Sequence, residues 1–291
     1  MILNFGSLNI DYVYSLEHFV RAGETISSSK MEKFPGGKGL NQSVAFAKAG
    51  ACVFHAGCIG KEGQFLIDTL AKAGVSTELV QIKDTPTGHA IIQVNKNGEN
   101  CILLYGGANI TVDSAFIDTA LSKFSSNDYL VLQNEINSIS EIIEKAKARG
   151  IKIILNPSPY NEVIDNLDLN KIDYLILNEI EGKELTAKEE ANEIIDTLLT
   201  LYPEMKIVLT LGKDGAMYAS SKERHRQPIF ESTVVDTTAA GDTFTGYFFA
   251  MLSEGKSPKE SLEIASRASS IAVSRMGAAV SIPTLKEVLN K

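Results

Sequence analysis

The chain has 291 residues, 44% of them hydrophobic and 22% charged, enough length for one large α/β domain or two smaller ones around a buried core. A formal net charge of −8 argues against a general nucleic-acid binder, which needs a basic face for phosphates. No apolar run approaches the roughly eighteen residues of a membrane span, and the opening Ile2-Leu3-Asn4-Phe5 carries no basic segment of a secretory signal, so a cytoplasmic location is expected. Cys52, Cys58 and Cys101 form no C-x-x-C pair and read as small buried hydrophobes, while His18, His55, His89 and His225 lack metal-ligand spacing and read as structural.

In chain order, Asn9-Ile10-Asp11 follows the first apolar run, which sets Asp11 either beside a ligand or in a solvated turn. Residues 34–50, "FPGGKGLNQSVAFAKAG", put Gly36, Gly37 and Gly39 immediately before a helix with Val44 and Ala47 on one side. The stretch looks like a phosphate loop, yet the Walker pattern is absent and the dinucleotide fingerprint fails at Gln42. A glycine turn for helix–strand packing accounts for the glycines but does not require the polar Lys38 and Asn41. Further on, residues 90–94 and 101–105 flank "NKNGEN", where Asn97-Gly98 is a hairpin signal. With segments near 10–35, the hairpin region 86–106 predicts a small separate β-sheet, either a lid or a plain appendage.

From about residue 110, short apolar runs at 129–132, 151–155, 174–177 and 207–211 alternate with helical patterns near 138–149 and 188–201. This is the rhythm of a mainly parallel sheet with helices on both faces. Asn134, Glu135, Asn156, Asn178, Glu181, Thr210 and Gly212 follow those runs and would share the carboxyl edge, where open α/β sheets bind ligands. "LTLGKDGAMY", residues 209–218, reads as strand, glycine-bounded turn and strand.

"VVDTTAAGDTFTGYFFAML", residues 234–252, carries the densest signal. Phe244, Tyr247, Phe248, Met251 and Leu252 recur at three-and-four spacing, which predicts an amphipathic helix burying one face. Before it, Thr237 to Gly241 let other groups approach the backbone, and the first-turn N–H groups lack intrahelical partners, so the helix start is suited to an anion. Asp242 sits inside that cradle, as an ordinary cap or as a working acid, with Asp236 as a second acid nearby. Ser257-Pro258-Lys259-Glu260 is a capping box that starts a helix to about Arg275, which Gly277 would end. No repeat or linker divides the chain, so residues 1–291 are expected to form a single domain.

"GSLNIDYV", "PGGKGLNQSVA", "YGGAN", "LQNE", "NEIE", "LTLGKDG", "DTTAAGDTF" and "IAVSRMGAAVSIP" follow one another between residues 6 and 283. In this order and spacing they resemble the ribokinase-like (PfkB) carbohydrate kinases. The resemblance implies that family's fold with a small β-sheet lid, a homodimer formed through the lid, and ATP-dependent phosphorylation of a sugar. Ribose, at its 5-hydroxyl, is the implied acceptor; fructose, another sugar or a nucleoside are alternatives, and a non-catalytic sugar- or nucleotide-binding protein is a further one. By the same resemblance, Asp242 matches the catalytic base, and Ala239, Ala240 and Gly241 match the anion hole. Asp11, Gly37, Lys38, Asn41 and Glu135 match sugar-binding positions. Asn178, Thr210, Gly212 and Gly215 match nucleotide-binding positions, together with Gly241. Glu181 matches an acid that organises Mg²⁺ through water. Asp236, Thr238, Ala272, Arg275, Gly277 and Ser281 match a K⁺ site built mostly of backbone carbonyls. Two positions depart from the pattern: Ser266 stands where a family member has an adenine-contacting histidine, and Thr238 replaces an isoleucine beside the anion hole.

Overall fold

A computed structural model describes residues 1–290. In chain order the elements are β1 (Ile2–Phe5), β2 (Asn9–Ser15), β3 (Lys30–Gly36), α1 (Lys38–Lys48), β4 (Val53–Gly60), α2 (Gln64–Ala73), β5 (Ser76–Lys83), β6 (Gly88–Val94), β7 (Asn100–Tyr105), α3 (Ser114–Leu121), β8 (Tyr129–Gln133) and α4 (Ile139–Ala148). There follow β9 (Lys152–Asn156), α5 (Glu162–Asp165), β10 (Tyr174–Asn178), α6 (Glu179–Thr186), α7 (Ala191–Leu201), β11 (Lys206–Thr210), β12 (Ala216–Ala219), β13 (Arg224–Gln227), α8 (Ala240–Ser253), α9 (Pro258–Ala272) and α10 (Leu285–Leu289).

Nine strands make the main sheet, in the order β13-β12-β11-β10-β9-β8-β1-β4-β5. From β11 to β5 every pairing is parallel, and the β12–β13 hairpin closes one edge antiparallel. The apolar runs are continuous because alternate residues of one strand serve opposite faces. Leu130, Leu132, Ile153, Leu155, Leu175 and Leu177 pack with α3, α4 and α7, whereas Val131, Ile154, Ile176 and Val208 pack with α1, α2, α8 and α9. Parallel register places Gln133 opposite Asn156, and Asn178 opposite Thr210, so the polar residues that end these strands do share one edge.

The second sheet has the order β3-β2-β6-β7 and uses the segments expected for it. Gly98, at φ 80°, lies in the turn between β6 and β7. The sheets meet at the "YGGAN" segment, where buried Asn109 accepts from the Leu8 N–H through Oδ1 and donates to Asn9 Oδ1 through Nδ2.

Four expectations need correction. Residues 242–251 of α8 are buried all round, because the helix lies between α1, α9 and the sheet and so has no solvent face. The helix begun by the Ser257 capping box stops at Ala272, short of Arg275, because the Val273 carbonyl accepts the N–H groups of Val235 and Asp236. Gly277, at φ 89°, instead belongs to a later turn. Of the cysteines only Cys58 is buried; Cys52 and Cys101 are exposed. Among the described residues no helix is long and apolar enough to cross a membrane.

Candidate active site

The start of α1 is fixed against the end of β1. Gly37 holds φ 93°, a backbone state that side chains disfavour, and a Cβ on Gly39 would stand 2.4 Å from the Ser7 nitrogen. This close approach lets the Ser7 hydroxyl accept from the Gly39 N–H at 3.2 Å and donate to Glu135 Oε2. The Lys38 N–H donates to the same Glu135 oxygen at 3.0 Å. Glu135, just beyond β8, is thereby tied to the first turn of α1.

One helical turn further, α1 meets α8. Asn41 Nδ2 donates to Asp242 Oδ2 at 3.1 Å and Gln42 Nε2 donates to Asp242 Oδ1 at 3.0 Å. Asp242 is 7% exposed, and its side chain makes no capping bond to its own helix. The carboxylate is therefore no ordinary cap. Ala239 ahead of it adopts the left-handed region at φ 59° and ψ 13°, a state that costs a non-glycine residue about 1 kcal/mol or more. The strained turn leaves the N–H groups of Gly241 and Asp242 without partners among the described residues. A buried carboxylate and two free donors thus share the positive end of one helix.

These groups line a cleft of about 270 Å³ with Lys38, Asn156, Asn178, Glu181, Thr210, Thr237 and Ala240. Burial works against the Lys38 ammonium, but Asp242, Glu135 and Glu181 together hold its pKa above the ordinary range. Burial raises the pKa of Glu135, against the opposing pull of Lys38 and Ser7. Asp11, on β2, is pushed up to about 7 by burial and by the Glu135 carboxylate. A donor set of one ammonium, free N–H groups and a carboxylate that accepts a proton suits transfer of an anionic group to a hydroxyl.

Asp11, Gly37, Asn41 and Glu135 lie beside this cleft rather than in its lining, joined to it through Lys38 and Asp242. Asn178 and Glu181 close a reciprocal capping box at the start of α6: Asn178 Oδ1 accepts the Glu181 N–H at 2.9 Å, and Glu181 Oε2 accepts the Asn178 N–H at 3.0 Å. Thr210 reaches the cleft, whereas Gly212, Gly215 and buried Ser266 do not line it. Asp236 accepts from the Thr238 N–H and hydroxyl and from the Gly277 N–H, clamping the bend before α8 to the turn after α9. Arg275 turns its guanidinium onto Glu287, and the Ser281 hydroxyl donates to the Ala278 carbonyl. Among the described residues no group of three or more His, Cys, Asp or Glu is placed to hold a metal ion.

Residues 1–285 match the pfkB family carbohydrate kinase pattern. The chain belongs to that family. It is accordingly a phosphotransferase with an alcohol group as acceptor. A ribokinase of Haemophilus influenzae is 34% identical to this kinase over 98% of the chain and 95% of its own length. The crystal structure of ribokinase from Cryptococcus neoformans in complex with ADP superposes with a TM-score of 0.88 at 33% identity, covering 99% of this chain and 98% of that one. Arabidopsis thaliana ribokinase complexed with ribose and ATP gives a TM-score of 0.88 at 30% identity, covering 99% and 97%.

Two residues of the kinase's site escape the motif reading. Ser7 links Glu135 to α1, and its only sequence signal is its place directly after the first strand. Gln42 follows Asn41, and adjacent helical positions do not ordinarily face one target; here both amides reach Asp242 because α8 crosses close over α1.

Proposed function

We propose that this carbohydrate kinase is an ATP-dependent ribokinase that transfers the γ-phosphoryl group to the 5-hydroxyl of D-ribose. The reading rests on the buried Asp242 carboxylate, held by two amides at a helix start with free N–H groups. In the step inferred, Asp242 accepts the hydroxyl proton and the sugar oxygen bonds to the γ-phosphorus. The bond from that phosphorus to its bridging oxygen breaks, and ADP departs with the electron pair. The N–H groups at Ala239, Gly241 and Asp242 are assigned to charge on the transferred group, with Lys38 beside them; the Ala240 N–H, expected among them, is instead held by the Thr237 carbonyl at 3.2 Å. Asp11, Gly37, Lys38, Asn41 and Glu135 bracket the sugar; Asn178, Thr210, Gly212, Gly215, Gly241 and Ser266 are assigned to the nucleotide. Full-length likeness to ribokinases supports ribose over fructose or a nucleoside.

The residues present fit both implied cations. Glu181 is the one acid besides Asp242 in the cleft lining, and a lone carboxylate suits Mg²⁺, which keeps most of its waters. Bound with the nucleotide, Mg²⁺ would neutralise phosphate oxygens. For K⁺, Asp236, tied to Thr238 and to the Gly277 N–H, would supply one negative charge and the backbone carbonyls of Thr238, Ala272, Arg275, Gly277 and Ser281 the neutral oxygens, donor types that suit a monovalent ion. The second sheet, with segments near 10–35 and 86–106, acts as a lid on a single domain. Its edge strand β7 is exposed throughout, with Ile102, Leu103 and Leu104 at 53%, 66% and 54%, an apolar surface that a second copy of the chain would cover in a homodimer.

The test is ADP release across ribose, deoxyribose, fructose and nucleosides, with Asp242→Asn in parallel. Ribose is expected to give the highest kcat/KM, and the variant to lose nearly all turnover while keeping sugar and nucleotide affinity within a few-fold. Another preferred acceptor would reject the ribose assignment, and retained turnover would exclude Asp242 as the base.

A further inference from the structure

Five polar side chains are packed out of contact with water beneath the cleft: Asn4, Gln42, Ser43, His55 and Gln133 are each 0% exposed. Placing so many polar groups in a core is unfavourable unless their hydrogen bonds are made among themselves. Here they form one chain, in which Gln133 Oε1 and His55 Nε2 alone are left without a partner. Gln133 Nε2 donates to Gln42 Oε1 at 2.7 Å and to Asn4 Oδ1 at 2.8 Å. Asn4 Nδ2 donates to the Gly39 carbonyl at 2.7 Å and to Ser43 Oγ at 2.8 Å, and Ser43 Oγ lies 2.8 Å from His55 Nδ1. The chain spans β4, β1, β8 and α1 and ends at Asp242 on α8.

The order of donors fixes its direction. Both Gln133 N–H groups are spent on carbonyl oxygens, so Gln42 must present its oxygen to Gln133 and its NH₂ to Asp242. A flipped Gln42 would set oxygen against carboxylate and nitrogen against nitrogen. The same logic turns the Asn4 NH₂ toward Ser43, leaving the Ser43 hydrogen for His55 Nδ1. His55 suits that acceptor role, since burial pushes its pKa down to about 3 and keeps the ring neutral.

We propose that Gln42 is a positioning residue for the Asp242 carboxylate, oriented by the buried relay through Gln133, Asn4, Ser43 and His55. The proposal rests on the reading of Asp242 as the base. With one amide donor on each oxygen, the carboxylate plane is set and its remaining lone pairs are left for the hydroxyl proton. Gln42 is fully buried, with its Oε1 held by Gln133 and its Nε2 by Asp242, so its effect passes through Asp242 rather than through substrate contact. The charged groups facing Asp242 are Lys38 from α1, Glu135 beyond β8 and Glu181 from α6, with Asp11 beside Glu135.

The experiment measures kcat and the KM values for ribose and ATP for Gln42→Leu and Gln42→Glu, with Asp242→Asn alongside. ADP affinity by calorimetry verifies the fold of each. Gln42→Leu is expected to lower kcat about ten- to a hundred-fold with both KM values within about two-fold. Gln42→Glu keeps the shape and the Gln133 bond, so it serves if the leucine variant does not fold; it should lose kcat likewise. Wild-type kcat in a folded variant, or a loss carried by KM with kcat unchanged, overturns the proposal. If Asp242→Asn itself retains turnover, the base assignment falls instead, so the two failures are told apart.

Discussion

Gly246→Ala probes the contact on which the site depends. Gly246 lies one turn beyond Asp242 on α8, and a Cβ there would stand 2.3 Å from the Ala45 Cβ and 2.9 Å from the Ala45 carbonyl carbon and the Phe46 nitrogen. Carbon atoms settle at about 3.5–4.0 Å, so the helices must part by more than about 1 Å or bend. Two of the three nearest neighbours of that methyl are backbone, which cannot rotate away. Overpacking of this kind costs about 1–3 kcal/mol, against roughly 1 kcal/mol gained from alanine's helix propensity. The net loss, up to about 2 kcal/mol, lowers Tm by up to roughly 3 °C for a chain of this size. Activity suffers more than stability, because α1 carries Asn41 and Gln42 and α8 carries Asp242. A shift near 1 Å can cost about a hundred-fold in rate. Calorimetry and steady-state assays of Gly246→Ala, and of the double variant with Ala45→Gly, measure both effects. The double variant should recover part of each, since it removes the nearest opposing atom. Unchanged kcat and an equal or higher Tm for Gly246→Ala would refute the close crossing and the argument built on it.

Asp11 should make stability fall with rising pH. Its folded pKa near 7 exceeds the ordinary value of 3.8, so the folded chain holds more protons between these values, and that contribution is lost as pH rises through 7. Asp11→Asn is therefore expected to raise the urea midpoint at pH 7.5 relative to wild type but not at pH 4; an equal change at both would contradict it. Turnover should rise with K⁺ more than with Na⁺, and Asp236→Ala, which loses three hydrogen bonds, should abolish that response; equal stimulation of both proteins would reject the cation site. Leu103→Lys should be monomeric by light scattering at concentrations where wild type dimerises, and a monomeric wild type would rule out the dimer through β7.

Much of the main sheet can be read in the sequence because strands buried on both faces are uninterrupted apolar runs ended by polar residues. Residues 129–132 and 174–177 needed extension by only one position, to Gln133 and Asn178. α6 is less visible, since Asn178 and Glu181 look like strand-end polar groups until their mutual cap defines a helix start. The one-face reading of α8 failed for a related reason: Ala250, Thr243, Thr245 and Gly246 are compatible with solvent by type, and only the crossing with α1 buries them. In the site, residues at strand ends and glycine turns announce themselves through composition. The relay does not, because Asn4 and His55 lie inside apolar strands and Gln133 closes another, where a single polar letter carries no partner with it. Its members are separated by up to 129 residues, as between Asn4 and Gln133, and only sheet register brings them together.

The two helices explain why an acid is placed where a helix start already favours anions. An acid on a mobile loop would be drawn toward Lys38 or would fold back as a cap on free N–H groups, spending the lone pairs needed for a proton. Asn41 and Gln42 prevent this by engaging one oxygen each, so Asp242 stays beside the donors of Gly241 without consuming them. A separate base and anion cradle would require two elements to be aligned for every turnover. Here both ride on α8, which is buried all round, and α1 braces them from below. Preorganisation of this kind demands rigidity at the α1–α8 crossing.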